Sequence, residues 1–279
     1  MDDLNKQFWG AGLPETRWVN GLSEQYDKLL QEAIPSDIAP YKVAFELIKF
    51  YATGGRVLDI GCLNGTNTEK LVAGAEASQV VGIDIQPENV EKANDRYSER
   101  EDMAFAYVPE NSPIPDSLGK FNAAFAGFVI PTISKIESLD GLIRKTYNAL
   151  APGGLFATLQ LNPDSLSDDS HYRYYHHSLP SDAIYADGKP FNNSLESYRG
   201  EKVDFVDYCW RPETIYRLMN DAGFANIKIV NLRASMNGAM GKRLKAELAN
   251  MQENFDIKWM DEWSDRASLY QIIYAEKPE

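Results

Sequence analysis

The sequence is short of cysteine, of histidine and of basic charge, and each shortage removes a class of function. Cys62 and Cys209 are the only thiols in 279 residues. They form neither a metal-spacing pair nor a disulfide framework, so both are expected as free thiols, with Cys62 filling space rather than reacting. Lysine and arginine number 28 against 41 acids, a formal charge of −13. That balance repels a phosphate backbone, and no Lys/Arg stripe offsets it, so nucleic acid is not an expected partner. The start, Met1-Asp-Asp-Leu-Asn-Lys, lacks the basic-then-apolar order of a signal peptide, and no uninterrupted apolar run is long enough to span a bilayer. The expectation is a cytoplasmic protein with a small-molecule substrate and no membrane partner, its state as monomer or homodimer left open. Repeats and low-complexity tracts are also missing, and 44% hydrophobic with 25% charged residues is the composition of a folded globule.

What the chain does have is an alternation of buried strands and amphipathic helices. Residues 1–22, with Phe8, Trp9 and Trp18, read as an irregular arm. Ser23 to Ala33 has helical spacing through Tyr26, Leu29 and Leu30. Pro35 and Pro40 read as breaks before a second helix from Tyr41 to Tyr51. Five strand–helix units follow, with strands at Arg56–Ile60, Gln79–Ile85, Ala104–Val108, Phe121–Phe128 and Leu155–Leu161, the last entered through a Pro152-Gly-Gly154 turn. This order predicts an α/β doubly wound fold, a parallel sheet covered on both faces. A helix Pro212–Ala222, a strand Ile227–Leu232 and a closing strand Ser268–Ala275 complete seven strands, the last antiparallel. The expected division is residues 1–53 as arm and helical cap, then residues 54–279 as one domain. Residues 163–206 and 234–266 lack a sustained period and read as lid-like insertions, the second with one amphipathic helix near Lys242–Met251.

The organising stretch is Arg56-Val-Leu-Asp-Ile-Gly-Cys-Leu-Asn-Gly-Thr-Asn-Thr68, a strand running through a glycine turn into a helix. Such a turn lies at the carboxyl edge of the sheet, where α/β proteins bind ligands. It is not the Gly-x-Gly-x-x-Gly of a dinucleotide site. Asp59 places a carboxylate where a pyrophosphate would be repelled and an ammonium group welcomed, directly or through water. Asp84, at the tip of the neighbouring strand, suits the two hydroxyls of a ribose. Glu110 and Asn111, at the next tip, offer side-chain oxygens to an adenine amino group. Ammonium, ribose and adenine in that order describe S-adenosylmethionine.

Over about residues 23–275 the chain resembles the class I S-adenosylmethionine-dependent methyltransferases. Their Asp/Glu-x-Gly-x-Gly-x-Gly motif stands here as Asp59-Ile-Gly61-Cys-Leu63-Asn-Gly65, their ribose acid as Asp84, and their lead into strand five as Leu150-Ala-Pro-Gly-Gly154. Two positions depart from the pattern. Leu63 replaces the middle glycine with a residue that does not freely take positive φ, which leaves the turn geometry open. Asn122 stands where the family often has an acid. Within the family, Tyr26-Asp27, Pro40-Tyr41, Glu46, Asp187-Gly188 and Tyr208-Cys-Trp210 resemble toxoflavin-synthase-like enzymes, which implies a rossmann-like methyltransferase domain acting on a heterocyclic or aromatic metabolite.

The resemblance implies Asp59, Gly61, Cys62, Asn64 and Asp84, with Ile85, Glu110 and Asn111, as cofactor contacts. Gly127 and Phe128 join them at the tip of strand four, and Tyr26 and Tyr41 are placed to close over the methionine end. Phe128, Tyr174, Tyr175, Tyr185 and Trp210 are the candidates for stacking on a flat acceptor. Displacement at a sulfonium needs alignment and dryness more than a base. If a base is used, His171, His176 and His177, the only histidines, are the candidates. A metal site is not expected, because a contiguous cluster such as Asp168, Asp169 and His171 cannot converge on one ion. Two other readings stay open: a non-catalytic cofactor-binding regulator, with Leu63 and Asn122 as signs of decay, and an aminopropyl transferase.

Overall fold

The computed structural model describes residues 22, 25, 35–165, 177–178, 186–196, 201–232 and 270–279. Its centre is a sheet of strands β1 (Arg56–Ile60), β2 (Gln79–Asp84), β3 (Met103–Tyr107), β4 (Phe121–Gly127), β5 (Leu150–Leu161), β9 (Ala225–Asn231) and β10 (Tyr270–Glu276), in spatial order β3-β2-β1-β4-β5-β10-β9. The first five run parallel, and β10 lies antiparallel between β5 and β9. Strands β1 and β4 are neighbours, so the chain reverses direction across the sheet between them. That reversal opens a crevice above the β1 and β4 tips.

Alternate strand residues face opposite sides. Val57, Phe125, Leu159 and Ile272 pack with Tyr41, Ile48 and Leu71 from helices α1 (Pro35–Ala52) and α2 (Thr66–Ala75). Leu58, Ala124, Phe156 and Ile273 pack with Leu139 and Ile215 from helices α4 (Ile136–Ala149) and α5 (Pro212–Ala222). Helix α3 (Pro87–Arg96) begins at a proline, as its missing N–H allows, and buries Val90 and Ala93.

Three expectations need correction. Helix α1 does not begin after a break at Pro40: it starts at Pro35 and runs through Pro40, which is buried. The lost hydrogen bond falls in the second turn, and packing on the sheet by Ala44, Ile48 and Ala52 outweighs it. Pro152-Gly-Gly154 is not a turn outside the sheet but part of β5, at a break in its pairing with β4 between Phe121 and Ala123. Within residues 163–206 the chain is not without order: β6 (His177–Ser178), β7 (Pro190–Glu196) and β8 (Lys202–Tyr208) form a second, antiparallel sheet. The consecutive β7 residues Asn193 and Ser194, on opposite faces, are both buried, which breaks the apolar alternation. Both are satisfied across the ladder, Asn193 Nδ2 donating to Asp207 at 2.8 Å and Ser194 to Asp204 directly opposite.

Helix α5 is capped from a distance. The Arg211 N–H and the Thr214 hydroxyl donate to the two oxygens of Asp187, at 2.6 and 2.5 Å, so the acid sits against the positive end of the helix. This fixes the second sheet to the first.

Candidate active site

The turn between β1 and α2 is built from left-handed residues at alternate positions. Gly61, Leu63 and Gly65 have φ of 72°, 49° and 87°. Leu63 therefore keeps the backbone that a glycine would supply, at a cost of about 1–2 kcal/mol. A hydrogen bond holds it there, its N–H donating to Asp84 Oδ2 at 3.0 Å. At Gly61 no side chain fits, because a Cβ would lie 2.6 Å from Val129 Cγ2. The N–H groups of Gly61 and Cys62 both donate to Ile83 O, at 2.8 and 3.1 Å, which ties the turn to the tip of β2.

Asp84 is the hub of this end. It accepts from the N–H of Gln86 at 2.8 Å and from Leu63, with a longer contact from Asn89 Nδ2 at 3.4 Å. Burial pushes its carboxyl up, and these donors pull it back. Oδ2 keeps an open lone pair, and the long Asn89 contact can yield to a hydroxyl. Ile85 beside it is 46% exposed, a large apolar side chain left uncovered at the sheet edge. Tyr107, at the tip of β3, is 48% exposed.

Asp59 is buried under the turn and accepts from the Thr68 hydroxyl at 2.6 Å through Oδ2. Burial pushes its carboxyl up to about 7, the Thr68 hydroxyl lowers it, and the charge of Asp84 raises it further. Cys62 is buried in the same place, its thiol held well above the usual range by burial and the two acids, so it fills space. Asn64 turns its side chain back on the chain, Oδ1 accepting from the Thr66 hydroxyl at 2.8 Å. The Glu110 backbone carbonyl accepts from Lys145 Nζ at 3.0 Å, which anchors the loop after β3, while Asn111 is exposed. Asn122 lies at the opposite edge of the sheet, accepting from the Arg56 N–H at 2.9 Å, away from the site.

A row of aromatics crosses the tips of β4 and β5. Phe128 has φ 55° directly after β4, and its ring meets Tyr41 at 5.8 Å and Tyr270 at 5.7 Å edge-on. A Cβ on Gly127 would strike Phe125 and Tyr41. Tyr41 is buried in the core, and its hydroxyl accepts from Asn67 in the first turn of α2 at 3.4 Å. Beyond Phe128 the chain turns at Ile130–Thr132, and Trp210 Nε1 donates to Ile133 O at 2.7 Å. There the second sheet closes a small cavity lined by Ile130, Leu161, Phe191, Tyr208, Trp210 and Gln160. Gln160 was not among the sequence candidates. A glutamine inside the apolar run Leu155–Leu161 was the available signal.

Tyr26, Tyr174, Tyr175, Tyr185, His171 and His176 lie outside the described residues, as does the stretch 234–266. His177 lies in β6, where its backbone pairs with Leu195 of β7. Among the described residues no three His, Cys, Asp or Glu side chains converge as a metal site, and no helix is long and apolar enough to cross a membrane.

A glycine turn with a buried acid before it and a second acid at the adjacent strand tip, on a sheet of this order, defines a cofactor-dependent transferase site. Residues 27–229 match the methyltransferase-domain family, and the chain belongs to it, as a class I S-adenosylmethionine-dependent methyltransferase. Its cofactor is S-adenosylmethionine. Among relatives, N-demethylindolmycin N-methyltransferase of Streptomyces griseus is 25% identical over 178 residues, 63% of this chain and 72% of that one. The 27-O-demethylrifamycin SV methyltransferase of Amycolatopsis mediterranei is 29% identical over 161 residues, 56% of this chain and about half, 53%, of that one. The structure of the CcbJ methyltransferase from Streptomyces caelestis shares the fold, with a TM-score of 0.60 at 14% identity, covering 96% of this chain and 100% of that one.

The residues present fit the cofactor. Gly61 leaves no room for a side chain, Asp84 retains acceptor capacity, and Ile85 offers an uncovered apolar surface beside it.

Proposed function

We propose that the chain methylates a nitrogen or oxygen of a compact heterocyclic or aromatic small molecule. The observation that carries this reading is the small aromatic-walled cavity at the β4 and β5 tips, which has room for one water-sized edge group of an acceptor. Relatives named for N-methylation and O-methylation of natural products support a small-molecule acceptor.

When bound, S-adenosylmethionine supplies a methyl on a sulfonium, whose displacement releases a neutral thioether. The chain then has to align the acceptor and keep the site dry. Asp59 would attract the ammonium end directly or through water, and Asp84 would accept from the ribose hydroxyls. Ile85 would cover the adenine, with Glu110 and Asn111 beside it. Gly127 and Phe128 would stand between the cofactor and the acceptor cavity, whose wall includes Trp210. Residues 1–53, including Tyr26, are the candidates for a cap over this end and the segments 163–206 and 234–266 for a lid, with Tyr26 and 234–266 outside the described residues. Tyr174, Tyr175 and Tyr185 remain candidates for stacking, and His171, His176 and His177 for proton removal. The two departures from the family pattern give no support to a non-catalytic reading, since Leu63 keeps a left-handed backbone and Asn122 lies at the far edge. An apolar cavity likewise gives no support to a polyamine acceptor.

Incubation with S-adenosylmethionine and a panel of indoles, azoles and phenols, followed by mass spectrometry, is expected to yield a singly methylated product and S-adenosylhomocysteine. Cofactor binding without turnover across the panel would overturn the acceptor class.

A further inference from the structure

Gln160 is the one amide side chain lining the proposed acceptor cavity, and it is 2% exposed. Its amide is locked in one orientation. Nε2 donates to Gln271 Oε1 at 3.1 Å and, more weakly, to the Trp210 backbone carbonyl at 3.4 Å. Gln271 Nε2 donates in turn to Asn162 Oδ1 at 3.0 Å, which also accepts from the Asp164 N–H at 3.2 Å. A backbone carbonyl pins one end of this relay and a backbone N–H pins the other. Reversing any amide would set two acceptors or two donors face to face, so the relay has one direction. Its consequence is that Gln160 Oε1 is left buried with no partner among the described residues.

A buried acceptor without a donor is costly, and native proteins seldom leave one open except where something binds. The cavity has a volume of about 10 Å³, room for one water-sized group. Its other walls, Ile130, Leu161, Phe191, Tyr208 and Trp210, are apolar or aromatic.

We propose that Gln160 is a specificity-determining residue, its Oε1 accepting a hydrogen bond from an N–H or O–H of the methyl acceptor. This rests on the reading of the cavity as the acceptor site, and it narrows the acceptor to molecules that carry a donor on their leading edge. Rejection of a molecule lacking the donor follows from the unpaired carbonyl it would leave behind, which discriminates more sharply than a change in apolar fit.

The test uses the full chain with S-adenosylhomocysteine bound and two matched pairs of probes, indole against 1-methylindole and phenol against anisole, with affinities from ligand-observed NMR. Wild type is expected to bind the donor-bearing member of each pair at least about fivefold more tightly. Gln160→Leu is expected to lose that preference while binding S-adenosylhomocysteine as wild type does. Gln160→Met, closer in volume and shape, serves as the second variant if Gln160→Leu unfolds. Equal affinity within both pairs, including no binding of either member, overturns the assignment, as does a preference that survives in the variants. Failure of wild type to bind S-adenosylhomocysteine would instead strike at the methyltransferase reading itself.

Discussion

The two ends of the site are made in different ways. The proposed cofactor end is a backbone construction: three left-handed residues, the N–H groups of Leu63 and Gln86 on the Asp84 carboxylate, and those of Gly61 and Cys62 on the Ile83 carbonyl, within one strand–turn–helix unit and its neighbour. The proposed acceptor end is a side-chain construction, assembled from β5, β10, the turn after β4, and the second sheet, with partners such as Gln160 and Gln271 that are 111 residues apart. A backbone device tolerates few substitutions and suits a constant ligand. A cavity assembled from distant segments can change one wall at a time, which suits a ligand that varies between relatives.

Changes at the two ends should therefore separate. The largest effect is expected from Gly61→Ala, which forces a Cβ against Val129 on a left-handed backbone. A loss of about 2–4 kcal/mol in denaturant unfolding, with weakened cofactor binding, is expected. A stability within error of wild type would show that the turn yields.

pH offers the next test of the cofactor end. Asp59 has a folded-state pKa of about 7, raised by burial from 3.8. A raised pKa means that the folded state binds the extra proton, so the apo protein loses stability as pH rises from about 4 to about 7 and levels off above. A cationic ammonium group favours the ionised form, so cofactor affinity should rise across the same window, by up to about tenfold per pH unit. Asp59→Asn should flatten both profiles, because it keeps an acceptor for Thr68 and cannot ionise. A pH-independent affinity in wild type would remove Asp59 from the ammonium site.

At the acceptor end, Trp210→Phe removes the donor to the Ile133 carbonyl and part of a cavity wall. It should cost about 1 kcal/mol of stability and lower turnover, with cofactor affinity unchanged by calorimetry. A matching loss of cofactor affinity would mean that the two ends are coupled. The smallest effect is expected at Leu63→Gly. Relief of about 1–2 kcal/mol of left-handed strain is offset by about 0.5–1 kcal/mol of added chain entropy, so thermal unfolding should move little, and upward. A marked loss would show that the Leu63 side chain contributes packing that the turn depends on.

The same contrast explains what the sequence reveals. Strand β1, the turn and Asp84 are local features, and local spacing identifies them. Helix α5 is also legible over Pro212–Ala222, since a proline start and a glycine stop bracket it. Helix α1 is not, because a proline usually breaks a helix and only tertiary burial shows that this one does not. Strand β7 hides because two adjacent buried positions, Asn193 and Ser194, are polar and paired across the ladder. Leu63 illustrates the limit in another way: its departure from glycine is visible in sequence, but the Asp84 bond that holds its backbone is not. Gln160 stands out in sequence only as a glutamine in an apolar run, while its orientation is not legible there, since it depends on a relay that ends at Asp164 and Trp210.

The central claim is that Asp59–Gly65 and Asp84 form the S-adenosylmethionine site. Calorimetric titration of the cofactor into wild type and Asp84→Ala tests it most directly. Saturable micromolar binding to wild type, weakened about tenfold or more in the variant, is the predicted result. No binding to wild type, or equal affinity in the two proteins, would contradict it.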